Sequence, residues 1–140
     1  MKFLRNMTMA VAVSSAALTG LMLTQPVPTL AANAQELRLQ TKLTGGAINS
    51  ITPEGNARFR QRGTETSFKV EAEHVSLPDG TVLTVTIDRA GVITNVGTIT
   101  LSFNEGELEL KNALAPTAQA GDIVIVSDPS NTPILTGVLK

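Results

Sequence analysis

Cysteine, tryptophan and tyrosine are absent from the 140 residues, and histidine occurs once. Without cysteine there is no disulfide, no thiol nucleophile and no thiolate metal site. There is also no cysteine to carry a lipid anchor. The missing indole and phenol rings remove the platforms that sugar-binding modules and protein hot spots favour. Single-stranded nucleic acid binding needs stacked aromatics and is unexpected on the same grounds. Phosphate loops are missing too, since Gly45-Gly46 lacks the lysine and following helix of such a motif. No charge excess points to nucleic acid or anionic lipid, because 11 basic residues stand against 12 acidic ones.

The chain opens with a three-part leader. Lys2 and Arg5 supply a short positive segment, and Met7 to Leu23 is uncharged and apolar or small. Pro26 and Pro28 break the run, and Ala32-Asn33-Ala34 fits the small-x-small cleavage rule. This layout predicts a signal peptide over residues 1–34 and a mature domain over 35–140. Leu30-Ala31-Ala32 offers an earlier cleavage site, and an uncleaved anchor is the alternative for the apolar run. Cleavage after Ala34 leaves 106 of the 140 residues, enough for one domain with a core of its own. Nine basic residues then face twelve acidic ones, a net charge of −3. The product is expected to be secreted or periplasmic and not embedded in a membrane.

Period-two alternation runs through the mature segment. Leu37, Leu39, Thr41 and Leu43 alternate with Arg38, Gln40 and Lys42. Ala57, Phe59 and Gln61 alternate with Arg58, Arg60 and Arg62. Phe68, Val70 and Ala72 lead through Leu77-Pro78-Asp79-Gly80 to Leu83, Val85 and Ile87, which reads as a central β-hairpin. Matching apolar faces pairs Ala72 with Val85 and Val70 with Ile87. The same rule pairs Phe59 with Val70, which sets Arg58 opposite Glu71 and Arg60 opposite Lys69. His74 falls on the dry face opposite Leu83.

Val92 to Asn104 reads as a long strand, broken near Asn95 or Gly97, with Ile99, Leu101 and Phe103 on its dry side. All three mature phenylalanines are thus expected inside. Asn104 to Glu107 reads as a four-residue loop before Leu108 and Leu110. Residues 112–121 read as an ordered loop or a single helical turn. Four apolar residues, Ile123 to Val126, suggest a strand buried on both faces. Pro133 to Leu139 is the last strand, and its proline fits a first position or an edge. The fold class expected is all-β: a single antiparallel β-sandwich, Ig-like or a similar Greek key, of about eight short strands.

Four features of the second half have a familiar arrangement. They are the Leu77-Pro78-Asp79-Gly80 turn, the Thr/Val strand after it, the run Gly121 to Val126, and the terminal Ile134-Leu135-Thr136-Gly137 strand. The region from Phe59 to Leu139 resembles small secreted bacterial β-sandwich domains of uncharacterised function. The resemblance rests on turn glycines and core aliphatics, so it implies fold and address and no activity.

Candidate chemistry is sparse. His74 has no evident nucleophile or orienting acid, so boundary packing or partial exposure is expected. Glu105, Glu107 and Glu109 share one strand face but lack the spacing of a calcium loop. No catalytic residue, cofactor or metal is expected. Arg58, Arg60, Arg62 and Lys69 form a basic stripe that could dock an anionic polymer, or could be an ordinary solvated face.

The function expected is an exported, non-enzymatic binding or structural module of the cell envelope or exterior. Its partner would be an envelope protein or polysaccharide. The apolar terminal strand, Pro133 to Leu139, adds an expectation of edge-strand self-association. The alternatives are a small glycan hydrolase using two of Glu71, Glu73, Glu105, Glu107 and Asp88, or a calcium-dependent glycan-binding domain.

Overall fold

The computed structural model describes residues 35–140. The leader and its cleavage sites lie outside the described residues. Eight strands follow in order: β1 (Glu36–Thr44), β2 (Glu54–Arg62), β3 (Glu65–Glu73), β4 (Val82–Arg89), β5 (Val92–Thr100), β6 (Gly106–Lys111), β7 (Ile123–Ser127) and β8 (Pro133–Val138). Every pairing is antiparallel, in one sheet of order β5-β4-β7-β8-β1-β2-β3-β6. The two ends of that order, β5 and β6, are consecutive in the chain. A Ser102–Glu105 bridge joins them, so the sheet nearly closes on itself. The only helical piece among the described residues is one 3-10 turn, Asn112–Leu114, inside the loop expected at 112–121.

The alternation sets the core. Phe59 and Phe68 are register partners and both are fully buried. Val70, Ala72, Leu83, Val85, Val124 and Val126 line the same interior. Each large side chain withdrawn from water contributes about 1.5–3 kcal/mol. The seam between β1 and β8 is sparse. Thr44 faces Thr136, and Gln40 exchanges two backbone hydrogen bonds with Lys140, at 3.1 and 3.3 Å. Gly45 lets the chain pass there, because any Cβ would collide with the Ile134 carbonyl oxygen.

Asp122 holds the long loop to the sheet. Its buried carboxylate accepts two hydrogen bonds from Arg89, at 2.8 and 2.7 Å, and one from the Gln119 N–H at 2.9 Å. Arg89 also donates to the Thr117 carbonyl at 2.9 Å. The guanidinium holds the Asp122 carboxyl below its ordinary range; the Gln119 N–H adds to this, and burial opposes it.

Several expectations need correction. The central hairpin does not form: β3 pairs with β2 and β6, and β4 with β5 and β7. The Pro78-Asp79-Gly80 turn exists, with Thr81 N–H donating to the Pro78 carbonyl at 3.1 Å and Gly80 at φ +87. It lies in a loop that crosses the end of the sheet. Val75 plugs the core from that loop, fully buried. Hydrogen bonds from Val75 to Asn104 and from Gly80 to Leu101 tie the loop to the β5–β6 connection. Alternation says which face a residue takes and is silent on which strand lies beside it.

The β2–β3 register differs by two residues. Phe59 faces Phe68, Arg58 faces Lys69, and Arg60 faces Ser67. The cause is a two-residue turn at Gly63-Thr64, with Gly63 at φ +60, as a tight hairpin requires. His74 is exposed, not on the dry face, because its φ of +58 ends β3 and swings the ring out. Its Nδ1 lies 3.2 Å from Glu54 Oε2. Phe103 is 83% exposed. The turn inside the Ser102–Glu105 bridge is only Phe103-Asn104, both at positive φ (54 and 68), which turns the ring outward. β7 is buried on one face, with Ile123 and Ile125 half-exposed on the other. β8 lies between β7 and β1, so it is no edge; Pro133 is its first residue. The break expected near Asn95 or Gly97 is a bulge at Val96, where Val85 faces Gly97 and Thr86 faces Asn95.

Candidate binding surface

The outer face of β1, β2, β3 and β6 carries the charge. These strands hold seven basic and seven acidic residues, and the strand pleat sends all fourteen outward. Register arranges them in rows across the strands. One row runs Arg38, Arg60, Ser67, Lys111. The next runs Gln40, Arg58, Lys69, Glu109. Neighbouring strands lie about 4.8 Å apart. Five cations therefore share two adjacent rows with a single carboxylate.

The stripe expected along β2 is thus part of a band that crosses four strands. Arg58, Arg60 and Lys69 lie in the band, and Arg62 lies one row outside it, between Glu36 and Glu65. Arg38 and Lys111 complete the band and were missed by the sequence reading. Finding them requires knowing that β1 and β6 flank the β2–β3 hairpin.

Acids border the band on both sides. Glu36 pairs with Arg60 and, at 2.9 Å, with Arg38. These contacts lower its carboxyl from the ordinary range, the Arg38 hydrogen bond first. Lys69 Nζ lies 2.9 Å from Glu71 and 3.6 Å from Glu107, and its ammonium is raised, chiefly by the Glu71 hydrogen bond. Arg58 reaches Glu71 diagonally at 3.8 Å, and Lys111 lies 3.3 Å from Glu109. Among the described residues Arg62 makes no ion pair.

A depression of about 330 Å³ sits at the end of the band. Arg60, Arg62 and Lys111 line it with Ser67, Asn112 and one acid, Glu65. The Thr66 N–H donates to Asn112 Oδ1 at 3.3 Å, which leaves the donor end of that amide available. A second depression of about 330 Å³ is acidic, lined by Glu71, Glu73, Glu105 and Glu107. Asp88 is not in it; its carboxylate accepts the Gly91 N–H at 2.8 Å. Among the described residues no group of three or more histidine, aspartate or glutamate side chains is arranged to hold a metal ion. None of the described helices is long and apolar enough to cross a membrane.

The chain matches no protein-family model and no curated protein.

Proposed function

We propose that the chain is an exported, non-enzymatic β-module that binds an anionic polymer of the cell envelope or its surroundings. The observation that carries this reading is the band of Arg38, Arg58, Arg60, Lys69 and Lys111, with the Arg62 depression at its end. Because acids border the band, a single negative charge gains little over the pairs already formed. A chain of regularly spaced charges can engage several rows together, so a polymer suits the surface better than a small anion. The leader pattern supports export. The resemblance to small secreted β-sandwich domains accords with it. The same reading takes the fold as two four-stranded layers, β5-β4-β7-β8 and β1-β2-β3-β6. The sparse β1–β8 seam and the open β5–β6 side support that division.

The test is retention of the purified protein on an immobilised sulfated polysaccharide at low ionic strength. Retention that falls with added salt and is lost in the Arg60→Glu/Lys111→Glu variant is expected. A protein that passes unretained, or a variant retained as well as its parent, overturns the reading.

The acidic depression favours a second reading, a small glycan hydrolase using Glu71 and Glu107. Such an enzyme keeps one carboxyl protonated in an apolar setting. Here the two acids share Lys69, and the Glu107 side chain is 56% exposed. Release of reducing ends from envelope glycans, abolished by Glu107→Gln, would establish this reading in place of the first.

A further inference from the structure

The charged band leaves the opposite side of the sheet unexplained. β5 is an end strand of the sheet order, and its nine residues, Val92 to Thr100, include no charged side chain. Edge strands of soluble proteins are ordinarily guarded by charge, by proline or by cover. β6, the other end strand, follows that rule with Glu107, Glu109 and Lys111 on its outer face. β5 does not.

Cover protects only part of β5. Leu108 of β6 lies against Gly97, and Gly106 lies against Ile99 and the Thr100 carbonyl. Beyond Gly97 the two strands part, and among the described residues no backbone hydrogen bond joins Val92 to Val96 to anything but β4. The backbone of these five residues therefore has no strand partner on its far side; Val96 is half-buried, and Pro116 and Thr117 line a depression with Val92, Thr94 and Val96. Val92 is 68% exposed and Ile93 is 62% exposed. The outer row that continues from Ile93 runs through Asp88 to Ile123 and Val138. Asp88 is the single charged residue in that row and lies one strand in from the edge, so β5 itself sets no charge against its own copy.

We infer that Val92 to Val96 is a self-association edge whose occupant is the same segment of a second copy. A two-fold axis through Thr94 pairs all five residues antiparallel. Val92 then faces Val96 of the other copy, and Ile93 faces Asn95 in both directions. Interfaces of this kind are isologous, which a single uncharged strand satisfies without further features. Charge distribution favours the arrangement: the fourteen charged side chains of β1, β2, β3 and β6 lie on other strands. A five-residue edge buries less than the about 800 Å² per partner of a standard interface, so the dimer is weak and concentration-dependent. The inference is independent of polyanion binding, which uses other strands.

Sedimentation velocity across a wide concentration range tests it, together with two surface variants. The parent should shift from monomer towards dimer as concentration rises. Ile93→Lys/Asn95→Lys sets like charges opposite each other at both ends and should hold the protein monomeric. Ile93→Lys/Asn95→Glu sets opposite charges in the same places and should restore or tighten the dimer. Ile93 and Asn95 are both exposed, and circular dichroism is to show that each variant is folded. A parent that stays monomeric throughout, or a Lys/Lys variant that dimerises like the parent, overturns the edge. A Lys/Glu variant no better than Lys/Lys overturns the register.

Discussion

The two halves of the sheet share one interior and differ outside. Strands β1, β2, β3 and β6 carry fourteen charged residues, all facing out. Strands β4, β5, β7 and β8 carry two, Asp88 and Arg89. Thr84, Thr86, Thr98, Thr100 and Thr136 occupy outer positions on that second half, with Ile93, Ile123, Ile125 and Val138. Both surfaces satisfy the same requirement, an apolar side turned inward and a tolerated side turned to water. Burial fixes the inner residues and leaves the outer ones free to vary. The difference between the halves is therefore where binding roles can be written.

The largest expected effects ignore the difference. Phe68→Ala in the charged half should cost about 3–5 kcal/mol and Leu83→Ala in the uncharged half about 2–5 kcal/mol. Urea unfolding followed by circular dichroism should give one transition for both. Two separate transitions would break the comparison, by making the halves independent folding units.

Asp122→Asn comes next, at about 2–3 kcal/mol, because it leaves a clasp of three hydrogen bonds half made. The effect should depend on pH. Asp122 titrates below its unfolded value, so its contribution is complete above about pH 4. It fades as pH falls through the lower folded value. Glu36 and Glu54 shift in the same direction, Glu54 chiefly through its Lys42 hydrogen bond. The parent should lose stability on acidification more steeply than Asp122→Asn, and parallel curves in denaturant titrations would refute the clasp.

Phe103 sharpens the contrast among the three phenylalanines of the described residues. Phe103→Asn should raise stability by about 1 kcal/mol, since asparagine accepts the left-handed turn more readily. A loss comparable with that of Phe68→Ala would mean the ring is packed. Smallest of all is Arg60→Gln. It should leave the unfolding midpoint within error, as exposed ion pairs ordinarily do, while weakening polyanion retention. A large shift in midpoint would make the band structural.

Inward positions were legible because strand alternation and burial coincide at Leu39, Phe59, Phe68, Val70 and Val85. The eight-strand all-β architecture followed from the same pattern. Strand neighbours were not legible. Any shift of two residues keeps Phe59 on the dry side, and only the length of the Gly63-Thr64 turn selects among them. The turn at Pro78-Asp79-Gly80 looked like a hairpin because it bends the chain, yet the bend can serve a crossing as well. The candidate surface was half legible for the same reason: Arg58, Arg60 and Arg62 lie on one strand, whereas Arg38 and Lys111 join them only through pairing.

Away from the Ser102–Glu105 bridge, Gly97 and Leu108 hold β5 and β6 together by a side chain resting where a Cβ would otherwise be. Such contact is made of dispersion, with none of the directional bonds that lock the other seams. The slit beside it should breathe. Amide protons of Val92 to Val96 that face outward should exchange with deuterium long before those of the β1–β2 ladder. Along its perimeter, then, the molecule is graded in how readily it admits solvent, and the gradient runs towards its least charged edge.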